Sequence, residues 1–362
     1  MAKKCIIVTF HCVPNYGAVL QAYAMQQYMK RENERVELLD YRPNSIMKEY
    51  KYINFHSIFS ALLSLWSLPS YYLKLKAFKC FGKRYLTLSR EKGKTGFSFE
   101  GIQADVVLLG SDQIWNSQIT GGIDPVYYGQ LPWRYTPRII SYAASVGKKD
   151  LDDVEASEIS SLLNKLDYLS VREYDARDAL LKVCDRPIEV VLDPTLLAGV
   201  ECFKPLVTKQ KIMKEYLLIY SLNGYKETTE MAKAIADRLH LSVIEISGRR
   251  RGLKMASHKT LYSSGPEEFV SLIANANFVV TDSFHGTVFS LLFHKEFVTV
   301  PHKTRGSRIT NLLEVCGLQN RVQSEFVVET LQQQVNWEEV DAKLAQAREN
   351  SEKYLHNALN GC

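Results

Sequence analysis

Apolar residues along the chain come in short unbroken runs, and each run ends in a small polar turn that opens a stretch of helical period. Parallel strands buried on both faces and joined by crossover helices read this way. Residues 6–10, Ile6-Ile7-Val8-Thr9-Phe10, lead through the turn 11–17 into helix formers from Ala18 to Met29. Residues 36–40 supply a second strand, and 104–109 a third that ends in Gly110-Ser111-Asp112. Further strands are expected over 139–145, 166–171 and 188–192, before a break at 199–214 that holds Pro205 and several lysines. The rhythm then restarts with strand 216–221, helix 228–239, strand 242–246, helix 267–274, strand 278–281, a helix opened by Gly286, strand 297–300 and helix 309–315. The pattern predicts an α/β fold in two domains, 1–203 and 204–336, with a terminal helix in 337–362 packing back on one of them.

Residues 47–88 interrupt the alternation. They are dense in Tyr, Phe, Leu and Lys, and Pro69 is expected to divide them into two helices inserted in the first domain. A basic aromatic segment of this kind either lies in a membrane interface or covers a sheet with its apolar face. A net charge of +5 with 23% charged residues suits an anionic small molecule, but the Lys/Arg block of a nucleic-acid binder is missing. The seven cysteines are scattered without a C-x-x-C pair, as free thiols in a reducing cytoplasm are. The apolar run 5–10 is too short for a signal peptide, and no run is long enough to span a bilayer. A cytoplasmic protein, or one peripheral to the inner face of the membrane, is expected. Dinucleotide, zinc, thiol-redox and serine-hydrolase motifs are all absent, and Gly93-Lys94-Thr95 lacks the earlier glycine of a phosphate loop.

Candidate chemistry collects where predicted strands end. Asp282, Ser283 and His285 follow the strand 278–281, beside Gly286 and Thr287 at a helix start whose N–H groups suit an anion. Each polar residue here is a cap or buried structural group on the alternative reading. Asn15, Tyr16 and Gly17 stand at another helix start, with Asn15 either a cap or a ligand contact. Ser111 and Asp112 follow a buried strand, and Asp112 is either a turn residue or a carboxylate aimed at a ligand. Arg172 ends the strand 166–171, where it either clamps an anion bidentately or pairs with an acid such as Glu173. Arg305 and Arg308 precede a helix in an arrangement suited to phosphate, while Arg249, Arg250 and Arg251 read as a solvated loop.

Six stretches together resemble the polysaccharide pyruvyl transferase family: Asn15-Tyr16-Gly17-Ala18-Val19-Leu20-Gln21-Ala22-Tyr23-Ala24, Gly110-Ser111-Asp112-Gln113-Ile114-Trp115-Asn116, Ser141-Tyr142-Ala143-Ala144-Ser145, Ser170-Val171-Arg172-Glu173, Leu192-Asp193-Pro194-Thr195 and Asp282-Ser283-Phe284-His285-Gly286-Thr287. The resemblance implies two Rossmann-like domains facing a cleft, GT-B-like, and transfer of pyruvate from phosphoenolpyruvate to a nucleotide-linked or lipid-linked sugar as a ketal, in surface or capsular polysaccharide synthesis. It implies no metal and no cofactor beyond phosphoenolpyruvate as donor. His285 becomes the expected proton donor or phosphate ligand, Asp112 the base, and Arg172 the donor clamp. Asn15, Tyr16, Gly17, Ser111, Ser283, Gly286, Thr287, Arg305 and Arg308 become expected donor contacts. Family members resemble S-R-x-H-G where this chain has Asp282-Ser283-Phe284-His285-Gly286, so Ser283 replaces an arginine that Arg305 or Arg308 would have to supply. A GT-B-like glycosyltransferase using a nucleotide sugar and a non-catalytic glycan-binding relative are the alternatives.

Overall fold

The computed structural model describes residues 3–32, 35–49, 58–148, 150–208, 215–222, 226–247, 258–301 and 307–361. The chain forms two compact units: residues 1–50, 82–198 and 345–362 make the first, and 51–81 with 199–344 the second.

Unit 1 holds strands β1 (Lys4–Val8), β2 (Arg35–Tyr41), β3 (Leu88–Gly93), β4 (Val106–Leu109), β5 (Arg138–Ser141), β6 (Ser170–Val171) and β7 (Glu189–Val190). The first five make one parallel sheet in the order β3-β2-β1-β4-β5, and β6 pairs with β7. Strand alternation divides β1 and β4 between two cores. Ile6, Val8, Val107 and Leu109 join Phe99, Trp115, Tyr127 and Leu162 on one face. Cys5, Ile7, Val106 and Leu108 join Met25 and Met29 of helix Tyr16–Arg31, and Leu355 and Ala358 of helix Trp337–Asn360, on the other. From residue 345 onward the terminal helix is part of unit 1.

Unit 2 repeats the plan with β8 (Tyr216–Tyr220), β9 (Ser242–Ile246), β10 (His258–Leu261), β11 (Phe278–Thr281) and β12 (Glu296–Thr299), all parallel, in the order β10-β9-β8-β11-β12. Leu217, Ile219 and Val280 bury against Met231 and Ile235 of helix Lys226–Leu239. A chain of edge-to-face rings stabilises this unit as well, Tyr220–Phe269 at 4.8 Å, Phe269–Phe289 at 5.7 Å and Phe203–Phe289 at 4.8 Å. Counted from each unit's first strand, both sheets have the 3-2-1-4-5 order of a Rossmann-like half. The order reverses between β1 and β4 in one, and between β8 and β11 in the other.

Several expectations differ from the structure. Pro69 lies inside one helix, Ile58–Tyr85, instead of dividing two. Most of that helix groups with unit 2, where Phe81 is fully buried and Ala77 approaches Gly265 closely enough that a Cβ there would sit 2.8 Å away. The division of the chain after Ala198 falls five residues before the expected 203/204 boundary. Gly93 ends the edge strand β3, and a Cβ on it would meet Ser98 at 2.3 Å, so the glycine serves packing. Among the described residues no helix is long and apolar enough to cross a membrane.

The turn after β4 depends on Gly110. Its φ is 117°, and an added Cβ would lie 2.2 Å from the carbonyl oxygen of Tyr142, a backbone atom that cannot swing aside. Gly110→Ala is expected to cost about 3 kcal/mol. Urea denaturation measures this, and a loss below about 1 kcal/mol would show that the turn relaxes around the methyl group.

Candidate functional site

In open parallel sheets, ligands bind beyond the carboxyl ends of the strands, at the point where the strand order reverses. In unit 1 the ends of β1 and β4 are tied together there. Gln21, fully buried, donates to Thr9 Oγ1 at 2.8 Å and to the carbonyls of Phe10 and Ala18, and accepts from the Ser111 amide at 3.3 Å. Thr9 Oγ1 in turn donates to the Ser111 carbonyl at 2.9 Å. Asn15 is a helix cap, its side chain accepting from the Ala18 amide, and Tyr16 and Gly17 are buried in the first turn behind it.

Ser111 leads to a buried ionic cluster. Its hydroxyl donates to Asp193 Oδ2 at 3.1 Å, and the same oxygen accepts from Arg172 Nη1 at 2.9 Å. Asp193 Oδ1 accepts from the amide and the hydroxyl of Thr195, so one fully buried carboxylate receives four hydrogen bonds. Arg172 also lies 3.7 Å from Asp112 Oδ1 through Nη2 and 3.6 Å from Glu173 Oε2 through Nε. Glu173 accepts a further hydrogen bond from Ser145. Burial alone would lower the guanidinium pKa, but Asp193, Glu173 and Asp112 together raise it above its ordinary value. Asp112 sits at φ 74°, a conformation sparsely used outside glycine that recurs at functional sites.

This geometry bears on the expectation for Arg172. One positive charge faces three carboxylates, and its side chain is 2% exposed. An incoming anion at about 4 Å from any one of those carboxylates meets about 4 kcal/mol of repulsion at an effective dielectric near 20. Arg172 is thus engaged with Asp112, Glu173 and Asp193.

A second buried set stands at the end of β1. His11 contacts the Thr9 carbonyl through Nδ1 at 3.1 Å and Asp40 through Nε2 at 3.3 Å, and Arg42 Nε donates to the same Asp40 oxygen at 2.5 Å. Burial would raise the Asp40 carboxyl, but hydrogen bonds from His11 and Arg42 hold it below its ordinary value.

In unit 2, Asp282 bridges the reversal point, accepting from Ser221 Oγ at 2.7 Å and from the Leu222 amide at 2.8 Å. Ser283 caps helix Phe284–Leu292 and His285 is its second residue, 7% exposed, with its ring edge-on to Phe284 at 5.2 Å. The Arg308 guanidinium lies over the same Phe284 ring, 6.0 Å from its centroid. The expected anion contacts at Gly286 and Thr287 are taken, since Ser283 accepts from both amides. Gly286 serves packing, because a Cβ there would lie 2.2 Å from Thr281 Oγ1. Arg305 and the run Arg249 to Arg251 lie outside the described residues.

Ser111, Asp112 and Arg172 thus meet in unit 1, while in unit 2 Ser283 and His285 share the start of helix Phe284–Leu292 and Arg308, on helix Ser307–Cys316, lies over the Phe284 ring. Asp193 and Glu173 were missed as site residues, although Asp193 follows a predicted strand as directly as Asp112 does. His11 and Asp40 were missed because neither stands beside a small-residue turn. Among the described residues no group of three His, Cys, Asp or Glu side chains could hold a metal ion.

Arg172→Ala leaves Asp193 and Glu173 buried without their counter-charge. The expected loss is about 3–5 kcal/mol in urea denaturation, and a loss under about 1 kcal/mol would mean the cluster carries no stability.

No curated protein matches the chain in sequence. Among solved structures, a UDP-N-acetylglucosamine 2-epimerase from Rickettsia bellii is similar with a TM-score of 0.53 at 13% identity, covering 99% of this chain and 96% of that one. S. aureus MnaA, solved with UDP, is similar with a TM-score of 0.52 at 12% identity, covering 99% and 97%. At these identities the likeness is one of fold, and it places the chain in the GT-B-like α/β class. In sequence, the polysaccharide pyruvyl transferase profile matches residues 15–304. That span runs through both units and takes in all six strand-end stretches, from the Asn15 cap to the helix bearing His285. The chain belongs to the polysaccharide pyruvyl transferase family.

Proposed function

We propose that the protein transfers the pyruvyl group of phosphoenolpyruvate to a sugar as a ketal, in the cytoplasm, during synthesis of a surface or capsular polysaccharide. The observation that carries this reading is the family match through both units, with its polar motifs at the strand ends where each sheet reverses order. In the proposed reaction a proton passes to the methylene carbon of phosphoenolpyruvate, and the adjacent carbon becomes electrophilic. A sugar hydroxyl adds there and gives up its proton, the C–O bond to phosphate breaks, and a second hydroxyl closes the ketal and releases its proton. The acceptor is a nucleotide-linked or lipid-linked sugar.

The two strand-end clusters differ in charge, and the roles are assigned accordingly. His285 is the proposed proton donor, with Arg308, against the same Phe284 ring, as the cation for the donor's phosphate or carboxylate in place of the arginine that Ser283 replaces. Asp112 is the proposed base for the acceptor hydroxyl, and Arg172 fixes its position. A peripheral membrane contact through residues 47–88 fits the exposed Tyr72 and Leu73 of helix Ile58–Tyr85.

The direct experiment is titration of the protein with phosphoenolpyruvate, with phosphate release followed in the presence of candidate acceptors. Binding of UDP-sugars as donors without phosphoenolpyruvate binding would overturn the reading in favour of glycosyl transfer. His285→Ala is expected to lower turnover by about 100-fold or more while the melting temperature holds. Retained turnover with a large loss of stability would make His285 a packing residue. Arg308→Ala is expected to raise the phosphoenolpyruvate concentration at half-saturation by about tenfold or more, as loss of one charge-assisted contact predicts; an unchanged value would remove Arg308 from the donor site.

A further inference from the structure

Unit 1 has a concavity that the reaction proposed above does not use. Its volume is about 590 Å³, inside the range of roughly 300–1,000 Å³ usual for small-molecule sites. One wall is the terminal helix, where Asn350, Lys353 and Asn357 share a face at helical spacing with Tyr354 beside them. The other wall is the chain entering β6 at Asp167 and Tyr168, and the chain entering β7 at Arg186, Pro187 and Glu189. Asp112, Arg172 and Asp193 all follow the carboxyl ends of their strands, whereas Tyr168 precedes β6. Tyr168 and Arg172 are four residue steps apart, about 13 Å of extended chain.

The lining identifies the class of ligand. Two acids and two bases balance, and three of the four are already engaged. Arg186 donates to the carbonyls of Leu163, Leu166 and Asp167. Lys353 pairs with Glu349 at 2.7 Å, and Asp167 accepts from the Ile139 amide at 2.6 Å. A phosphate or carboxylate would find no excess of cations here. The exposed groups left to bind a ligand are the side-chain amides of Asn350 and Asn357, which both donate and accept, and the acceptor Glu189. The rings of Tyr168 and Tyr354 add flat apolar faces. Tyr354 is held in place because its hydroxyl donates to the Ser141 carbonyl at 2.8 Å, so its ring is presented with little ordering cost. Hydroxyl-matching amides beside fixed aromatic faces, without net charge, suit a neutral sugar ring.

We propose that this concavity is a glycan-binding site for a neutral stretch of saccharide, separate from the reacting centre, which anchors the polymer or its precursor to the protein. The inference rests on the pyruvyl-transfer reading only for the source of the saccharide. The test is saturation-transfer NMR and calorimetry on the full chain with neutral tri- to pentasaccharides of glucose, galactose, mannose and N-acetylglucosamine, run beside UDP as an anionic probe. At least one neutral probe is expected to bind, and Asn350→Ala/Asn357→Ala to weaken it about tenfold or more with the melting temperature unchanged, since both side chains are exposed. His285→Ala is expected to bind it as the wild type does. Failure of every neutral probe, equal binding by the double variant, or UDP binding that the double variant abolishes would overturn the proposal. Saccharide binding that persists in a protein without phosphoenolpyruvate turnover would count against the reaction and leave this site standing.

Discussion

The contact between Arg172 and Asp193 is the constraint on which unit 1 turns. It joins the residue after β6 to the loop that follows β7, and through Ser111 it reaches the end of β4. Two buried charges of opposite sign cost several kcal/mol each to desolvate, and they persist only when hydrogen bonds satisfy the rest of both groups. Asp193 meets that condition with four donors, and its neighbour Asp112 takes its place at the edge of the same cluster. An arginine that in isolation looks like an anion clamp is in this setting a brace for carboxylates.

Both units solve the same problem at the same place. Where the strand order reverses, neighbouring strands lead into connections on opposite faces, and backbone groups there lose their ladder partners. Unit 1 fills the gap with Gln21, Thr9 and Ser111, and unit 2 with Asp282 and Ser221. The helix starts supplement this, with Asn15 and Ser283 as caps. Several of the polar motif residues thereby satisfy the backbone at the reversal points.

Charge separates the two strand-end sets. Unit 1 concentrates Asp112, Glu173 and Asp193 around a single guanidinium, an environment that favours a hydroxyl substrate over an anion. Unit 2 places both His285 and Arg308 against the Phe284 ring.

The central strands β1, β4, β8 and β11 were legible in the amino-acid order because both of their faces are buried, so every residue must be apolar. The strand-end motifs were legible for a related reason, since a polar residue directly after such a run has a reversal point or a ligand to serve. The edge strand β3 was not: Leu88-Ser89-Arg90-Glu91-Lys92-Gly93 has no apolar run, because one side of it meets solvent and its pairing with β2 is set by a distant segment. The division into units was likewise decided by packing. Residues 51–81 are interposed in unit 1 along the chain yet group with unit 2, and the terminal helix from 345 joins a sheet whose first strand is more than 300 residues away. Sequence alone determined which residues end the strands. Only the tertiary structure decided that Arg172 faces three acids and that Gly286 is there for Thr281, because partners and close approaches depend on which distant segments share a core.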